Sequence, residues 1–176
     1  HNSDMDNSFP QGNEDAIVET IDGGKLILIA RQRRGKPKRF ESIDGGKTWK
    51  AKADLVVPAT SVNFGLDKIV EPDTPQHGYI LHCASATRKG PHKGRQRLLV
   101  SVNSNPKEVS PDKWKSKLLL DYTANYSDIL YIPEDRSLFV TVETMNFNKE
   151  FTGWGDAPIR YFKMSYQYWK KLPEYK

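Results

Sequence analysis

The sequence predicts an all-β fold built from antiparallel strands. Three observations carry that expectation. Apolar residues recur with period two in short segments, as they do when successive side chains point to opposite faces of a sheet. Asp-Gly turn chemistry separates several of those segments and supplies the positive φ that tight hairpins require. No long stretch carries the 3.6-residue period of an amphipathic helix.

The elements follow in order. Segments 16–19 and 25–30 flank Asp22, Gly23 and Gly24 and form the first hairpin. Segment 39–42 follows and runs into Asp44, Gly45 and Gly46. Segments 78–83 and 97–102 supply the next two strands. Segments 127–132 and 137–142 flank a turn made by Pro133, Glu134, Asp135 and Arg136. Segment 160–166 is the last strand. Cys83 is the one cysteine, so an internal disulfide is excluded; its apolar setting predicts a buried core thiol.

Composition narrows the class. A chain of 176 residues suffices for one domain, expected over 1–176. Hydrophobic residues make up 37%, and no run approaches the ~20 apolar residues of a membrane helix, so no membrane span is expected. The net charge is +5, concentrated in 31–39 and 88–97. Those stretches lack interleaved stacking aromatics and read as loops rather than a nucleic-acid surface. His1, His77, His82 and His92 have no ligand-like spacing, and no metal or other cofactor is expected. The opening residues do not read as a signal peptide, so the start is expected to be a processing boundary.

One motif is specific. Ser42, Asp44, Gly46, Thr48 and Trp49 fit S-x-D-x-G-x-T-W without a mismatch. The Asp carboxylate suits the backbone N–H groups of a turn, and Trp49 suits the space between hairpins. A degenerate copy is expected over 104–114, where Asp-Gly is lost.

Other residues stand in a telling order around this motif. Asn13 and Glu14 precede the first strand, and Arg31 ends the second. Arg95 and Arg97 lead into a later strand, Tyr126, Ser127 and Asp128 open another, and Glu143 closes the one after. That series resembles the C-terminal half of the exo-α-sialidases (neuraminidases), the Asp-box or BNR-repeat family of six-bladed propellers. The resemblance implies a sialidase-type six-bladed β-propeller, of which this chain would supply about three to four blades at roughly 40–50 residues each. It also implies a secreted or periplasmic protein, and a folding role for the Asp-box remote from the active site.

Carried over residue by residue, the resemblance makes Tyr126 the nucleophile and Glu14 the carboxylate that takes its proton. Arg31 matches the second arginine gripping the sialic acid carboxylate. Arg95 matches the third, with Arg97 as its rival two residues on and on the same face. Glu143 matches the glutamate that orients the first. The chemistry suits these residue types. Sialic acid carries a carboxylate on its anomeric carbon, so a neutral phenol meets less repulsion than a carboxylate nucleophile would; sialidases, with a tyrosine nucleophile, are an exception among glycosidases. Phenol, with a free pKa of about 10, needs an adjacent base. Arginine forks fit a planar carboxylate and favour phenolate character nearby.

The sequence also departs from the family pattern. Asp15 follows Glu14 where proline is usual, and the hairpin before Arg31 is one residue longer. The Arg-Ile-Pro segment with the first arginine, and the acid/base aspartate, have no counterpart; neither Asp4 nor Asp6 has a matching context. A complementary polypeptide completing the propeller is therefore an expected partner, beside a sialylated glycan. Asn125 to Ser127 forms a glycosylation sequon that a catalytic Tyr126 would require to be unused. The main alternative is a non-catalytic carbohydrate-binding or interaction propeller. A third reading keeps the enzyme but changes the sugar to a related nonulosonic acid, or hydrolysis to transfer. Loops 61–66 and 147–157, with Trp154, are candidate pocket linings.

Overall fold

The computed structural model describes residues 14–20, 23–31, 37–52, 65–70, 79–87, 95–103, 114–120, 124, 126–144 and 158–175, with backbone alone for 79–87, 95 and 96. Three antiparallel sheets follow one another along the chain. The first is β1 (Asp15–Glu19), β2 (Leu26–Ala30), β3 (Lys38–Ser42) and β4 (Lys50–Ala51), hydrogen-bonded in that order. The second is β5 (Gly65–Ile69), β6 (Tyr79–Thr87), β7 (Arg95–Asn103) and β8 (Trp114–Leu120). The third is β9 (Ser127–Ile132), β10 (Ser137–Glu143) and β11 (Ile159–Ser165). Each sheet is an up-and-down meander, so its strands reverse at every turn.

The leading strands of the sheets meet. β5 touches both β1 and β9. Gly65 lies against the backbone of Asp128 and Ile129, and a Cβ at position 65 would collide with it. Two residues on, Asp67 Oδ2 accepts the Tyr131 N–H at 2.6 Å. These contacts advance together, so β5 and β9 run in the same direction. Lys68 Nζ bonds Glu19 Oε2 at 3.0 Å, joining the finishing ends of β5 and β1. All three leading strands therefore start at one end of the molecule.

Alternation decides what fills the space between the second and third sheets. Ile129 and Tyr131 of β9 and Leu138, Val140 and Val142 of β10 are buried. They share one core with Ile69, Leu98, Val100 and Val102 of the second sheet. The opposite face of the third sheet stays open: Leu130 is 55% exposed, Ile159 and Tyr161 72% each. Phe139 and Tyr161 stack there at 5.8 Å, as a diagonal pair on one sheet face.

The C-terminus closes on the second sheet. Ser165 caps a short helix, α1 (Tyr166–Lys171), by accepting the Tyr168 N–H at 3.1 Å. Tyr166 and Trp169 of α1 are buried in the shared core and stack at 5.4 Å. The chain then pairs with β8: Leu118 N–H donates to Pro173 at 3.2 Å, and Tyr175 N–H to Ser116 at 3.0 Å. An otherwise open strand edge is covered in this way.

Several expectations are corrected here. The last strand ends at Ser165, and Tyr166 turns into α1 because Ser165 caps it and buried aromatics anchor it. β4, β5 and β8 were not expected. Gly65 and Leu66, expected in a pocket loop, belong to β5. Positions 61–64, 147–157, 104–113 and Asn125 lie outside the described residues, as does the Cys83 side chain. Trp114 opens β8.

The Asp-box forms the β3–β4 hairpin. Asp44 Oδ1 accepts from Ser42 Oγ (2.7 Å) and Thr48 N–H (2.9 Å), and its Oδ2 from Thr48 Oγ1 (2.6 Å). Ser42 Oγ accepts the Gly46 N–H at 2.9 Å. Gly45 and Gly46 have φ of 71° and 88°, a region L side chains avoid. These bonds pull the Asp44 carboxyl down to about 2, the Thr48 hydroxyl contributing most.

Candidate active site

Strand reversal sorts the candidate residues by end. Glu14 precedes β1, Arg31 follows β2, Arg95 and Arg97 open β7, Tyr126 precedes β9 and Glu143 closes β10. All of these positions fall at the end where the leading strands start. The Asp-box, between β3 and β4, falls at the other.

Register then builds two pairs. In the first sheet Asp15 faces Ala30, so the next residues outward are Glu14 and Arg31. The Arg31 N–H donates to the Glu14 carbonyl at 3.1 Å, and their side chains form a largely buried ion pair. In the third sheet Ser127 faces Val142, and the next residues outward are Tyr126 and Glu143. The Glu143 N–H donates to the Tyr126 carbonyl at 2.9 Å. Both pairs close the open end of a leading hairpin, and both have the same separation in sequence. Glu143 is half-buried on the face opposite Val142, as the alternation predicts.

A pocket of about 190 Å³ opens beside the second pair, lined by Tyr126, Ser127, Asp128, Thr141, Val142, Glu143 and Ile159. It is smaller than the ~300 Å³ at which sites for drug-sized ligands begin, so it admits part of a ligand rather than a whole one. Thr141, Asp128 and Ile159 had no role assigned from the sequence. Asp128 was legible only as the third residue of the run Tyr126, Ser127, Asp128; Ile159 enters through the β10–β11 pairing with Glu143.

In β7 the backbone of Arg95 pairs with Thr87 and that of Arg97 with Ala86, which leaves Gln96 as the extra residue of a bulge. The Arg97 guanidinium lies over the Tyr175 ring at 5.6 Å. That ring belongs to the segment that pairs with β8. The side chain of Arg95 lies outside the described residues.

Two aspartates near the leading strands are shifted by burial. Desolvation is the largest cause for Asp15 and raises its carboxyl, against a lowering bond from the Arg31 backbone. Desolvation likewise raises Asp67, opposed by its bonds from Tyr131 and Lys68 N–H and reinforced by the nearby charge of Asp128.

No family model and no curated protein matches this sequence. Solved structures do match. A sialidase from Trypanosoma rangeli superposes with a TM-score of 0.58 at 20% identity, over 76% of this chain and 21% of its own. The NanB sialidase from Streptococcus pneumoniae, in complex with 2-[(3-chlorobenzyl)ammonio]ethanesulfonate, gives 0.60 at 18% identity, over 90% of this chain and 24% of its own. The fold is sialidase-like. A T. rangeli sialidase mutant displaying trans-sialidase activity matches similarly, with a TM-score of 0.55 at 19% identity. The sialidase-like chain described here spans between a fifth and a quarter of the length of these neighbours. Among its described residues, no helix is long and apolar enough to cross a membrane.

Proposed function

We propose that this chain is part of an exo-α-sialidase, a retaining glycoside hydrolase that works through a tyrosyl intermediate. In this reading the three sheets are consecutive blades of a propeller, and β1, β5 and β9 line its axis. The observation that supports it most is convergence. Strand reversal gathers Glu14, Arg31, Tyr126 and Glu143 at one end of a sialidase-like fold and sends the Asp-box to the other.

The roles follow from the chemistry. Tyr126 attacks the anomeric carbon of a sialic acid, or of a related nonulosonic acid. Glu14 receives the phenolic proton. Arg31 serves two functions, because its fork holds Glu14 in place and still carries donors for the sugar carboxylate. Arg95 is a second arginine at that end. Glu143, opposite Tyr126, orients an arginine brought by the complementary polypeptide. That polypeptide also supplies the acid/base aspartate and covers the open face of Leu130, Phe139, Ile159 and Tyr161.

A second reading is favoured by the position of Arg97 over Tyr175, which leaves Arg31 as the carboxylate-binding arginine among the described side chains. With a weaker grip on the carboxylate, the same surface would bind carbohydrate without cleaving it.

Calorimetry and an aryl-sialoside hydrolysis assay, run with the complementary polypeptide, separate the two. The enzyme reading expects turnover that falls about a thousandfold or more in Tyr126→Phe while sialoside binding persists. Binding without turnover in the unaltered protein supports the second reading and overturns the first.

A further inference from the structure

We infer that Gly65 and Asp67 are positioning residues: they fix where β9 stands along β5, and so where Tyr126 sits at the mouth of the site. This rests on the reading of Tyr126 as the reactive phenol. Neither residue is among those that line the pocket beside Tyr126; the sequence offered Gly65 only within the candidate loop 61–66 and gave Asp67 no role.

β9 is six residues long and pairs with β10 along one edge. The other edge faces β5, to which no ladder of backbone hydrogen bonds holds it. Two contacts take the place of a ladder. At Gly65 the missing side chain lets the β5 backbone lie directly on Asp128 and Ile129. At Asp67 the carboxylate reaches across and accepts the Tyr131 N–H at 2.6 Å, while its other oxygen accepts the Lys68 N–H at 2.8 Å. The contacts are two residues apart on β5 and two to three apart on β9. A slip of one residue, about 3.3 Å, would bring different groups opposite both points. Both are satisfied at a single height, which sets the tilt of β9 as well as its position. Tyr126 immediately precedes β9, and Asp128, in contact with Gly65, lines the pocket beside it.

The lock is electrostatically awkward, which argues for a purpose beyond packing. Asp67 is desolvated and faces the Asp128 carboxylate, with Lys68 as the compensating cation on its own strand. An apolar residue would bury at less cost but would leave the Tyr131 N–H without this acceptor.

Three variants test the inference: Asp67→Ala, Asp67→Asn and, as a core control, Leu138→Ala. Asparagine keeps one carbonyl oxygen for Tyr131. Amide exchange at Tyr131 reads the lock, and the Tyr126 side-chain resonance in ¹³C-tyrosine-labelled protein reads the position. Asp67→Ala is expected to accelerate Tyr131 exchange beyond the control by about tenfold and to displace the Tyr126 resonance. Asp67→Asn restores both, and Leu138→Ala leaves the resonance in place. An unmoved resonance in Asp67→Ala, or an equal shift in Leu138→Ala, overturns the inference. The rate at which a 2,3-difluoro sialic acid labels Tyr126 is measured on the same samples. If the unaltered chain is not labelled, the nucleophile reading fails, while the exchange and resonance data still decide the lock.

Discussion

At the scale of single residues, the account rests on which side chains meet. Glu14 holds Arg31, and Tyr126 faces Glu143. In the proposed reading Glu14 is the general base and contributes about 10²–10⁴-fold, so Glu14→Gln is expected to lower kcat by that range with KM changed less. Asp67 makes a pH-dependent contribution whose sign is fixed by its raised carboxyl. The fold disfavours its charged form, so stability rises as pH falls through the folded value towards the ordinary 3.8. Urea midpoints from neutral pH to below 4 should show this gain in the unaltered chain and lose it in Asp67→Asn; an identical acid profile would contradict it. Asp128 and Lys68 face or flank this carboxylate and are left intact by that variant. Asp67→Ala differs, because the Tyr131 N–H loses its acceptor at about 1–3 kcal/mol. The candidate residues were named from the family resemblance and their order in the chain, whereas the pairing of Glu14 with Arg31 and of Tyr126 with Glu143 comes from the strand register. The parts played by Gly65 and Asp67 were not legible, because they depend on a contact between strands far apart in sequence.

At the scale of elements, turn chemistry made most strands legible. Gly23 and Gly24 lie between β1 and β2 and the Asp-box between β3 and β4, as expected, with Asp22 outside the described residues, while β4 was missed because two exposed residues carry no periodicity. β5 was missed because its Gly-Leu-Asp-Lys run looks polar; its burial comes from neighbouring sheets. α1 escaped notice because six residues are too few for a helical period, and aromatic anchoring decides the outcome. Trp169→Ala should cost about 3–5 kcal/mol by chemical denaturation, since it opens the core shared by the second and third sheets. Asp44 gives the opposite pH signature to Asp67. Its lowered carboxyl stabilises the hairpin fully above 3.8, and that contribution is lost as pH falls through about 2. Asp44→Asn should therefore lower the urea midpoint at pH 7, with the difference from the unaltered chain shrinking towards pH 2. A constant difference across that range would contradict the assignment.

At the scale of the whole molecule, the third sheet is covered on one face and open on the other. Its core face meets the second sheet, whereas Leu130, Ile159 and Tyr161 are largely exposed. Apolar faces of this kind associate in water. Size-exclusion chromatography with light scattering should find assemblies above 20.1 kDa, either with the complementary polypeptide or with further copies. The double variant Leu130→Lys, Tyr161→Lys should shift the chain to the monomer; each exposed substitution costs within about 0.5 kcal/mol of stability. A well-folded monomer of the unaltered chain would contradict this. The all-β class and antiparallel pairing were legible from period and turns. How the sheets pack was not, because the Gly65 contact and the Asp67 bond exist only between sheets.

The central claim is that Tyr126 is the nucleophile. A 2,3-difluoro sialic acid tests it most directly, because fluoride leaves with little help from a general acid, and in the proposed reading the acid/base aspartate comes from the complementary polypeptide. Peptide mapping by mass spectrometry after incubation locates the adduct. The account predicts one 3-fluorosialosyl group on Tyr126, formed as the C2 fluoride leaves, absent in Tyr126→Phe and strongly slowed in Glu14→Gln. An unmodified Tyr126, or an adduct on another residue that persists in Tyr126→Phe, would contradict it.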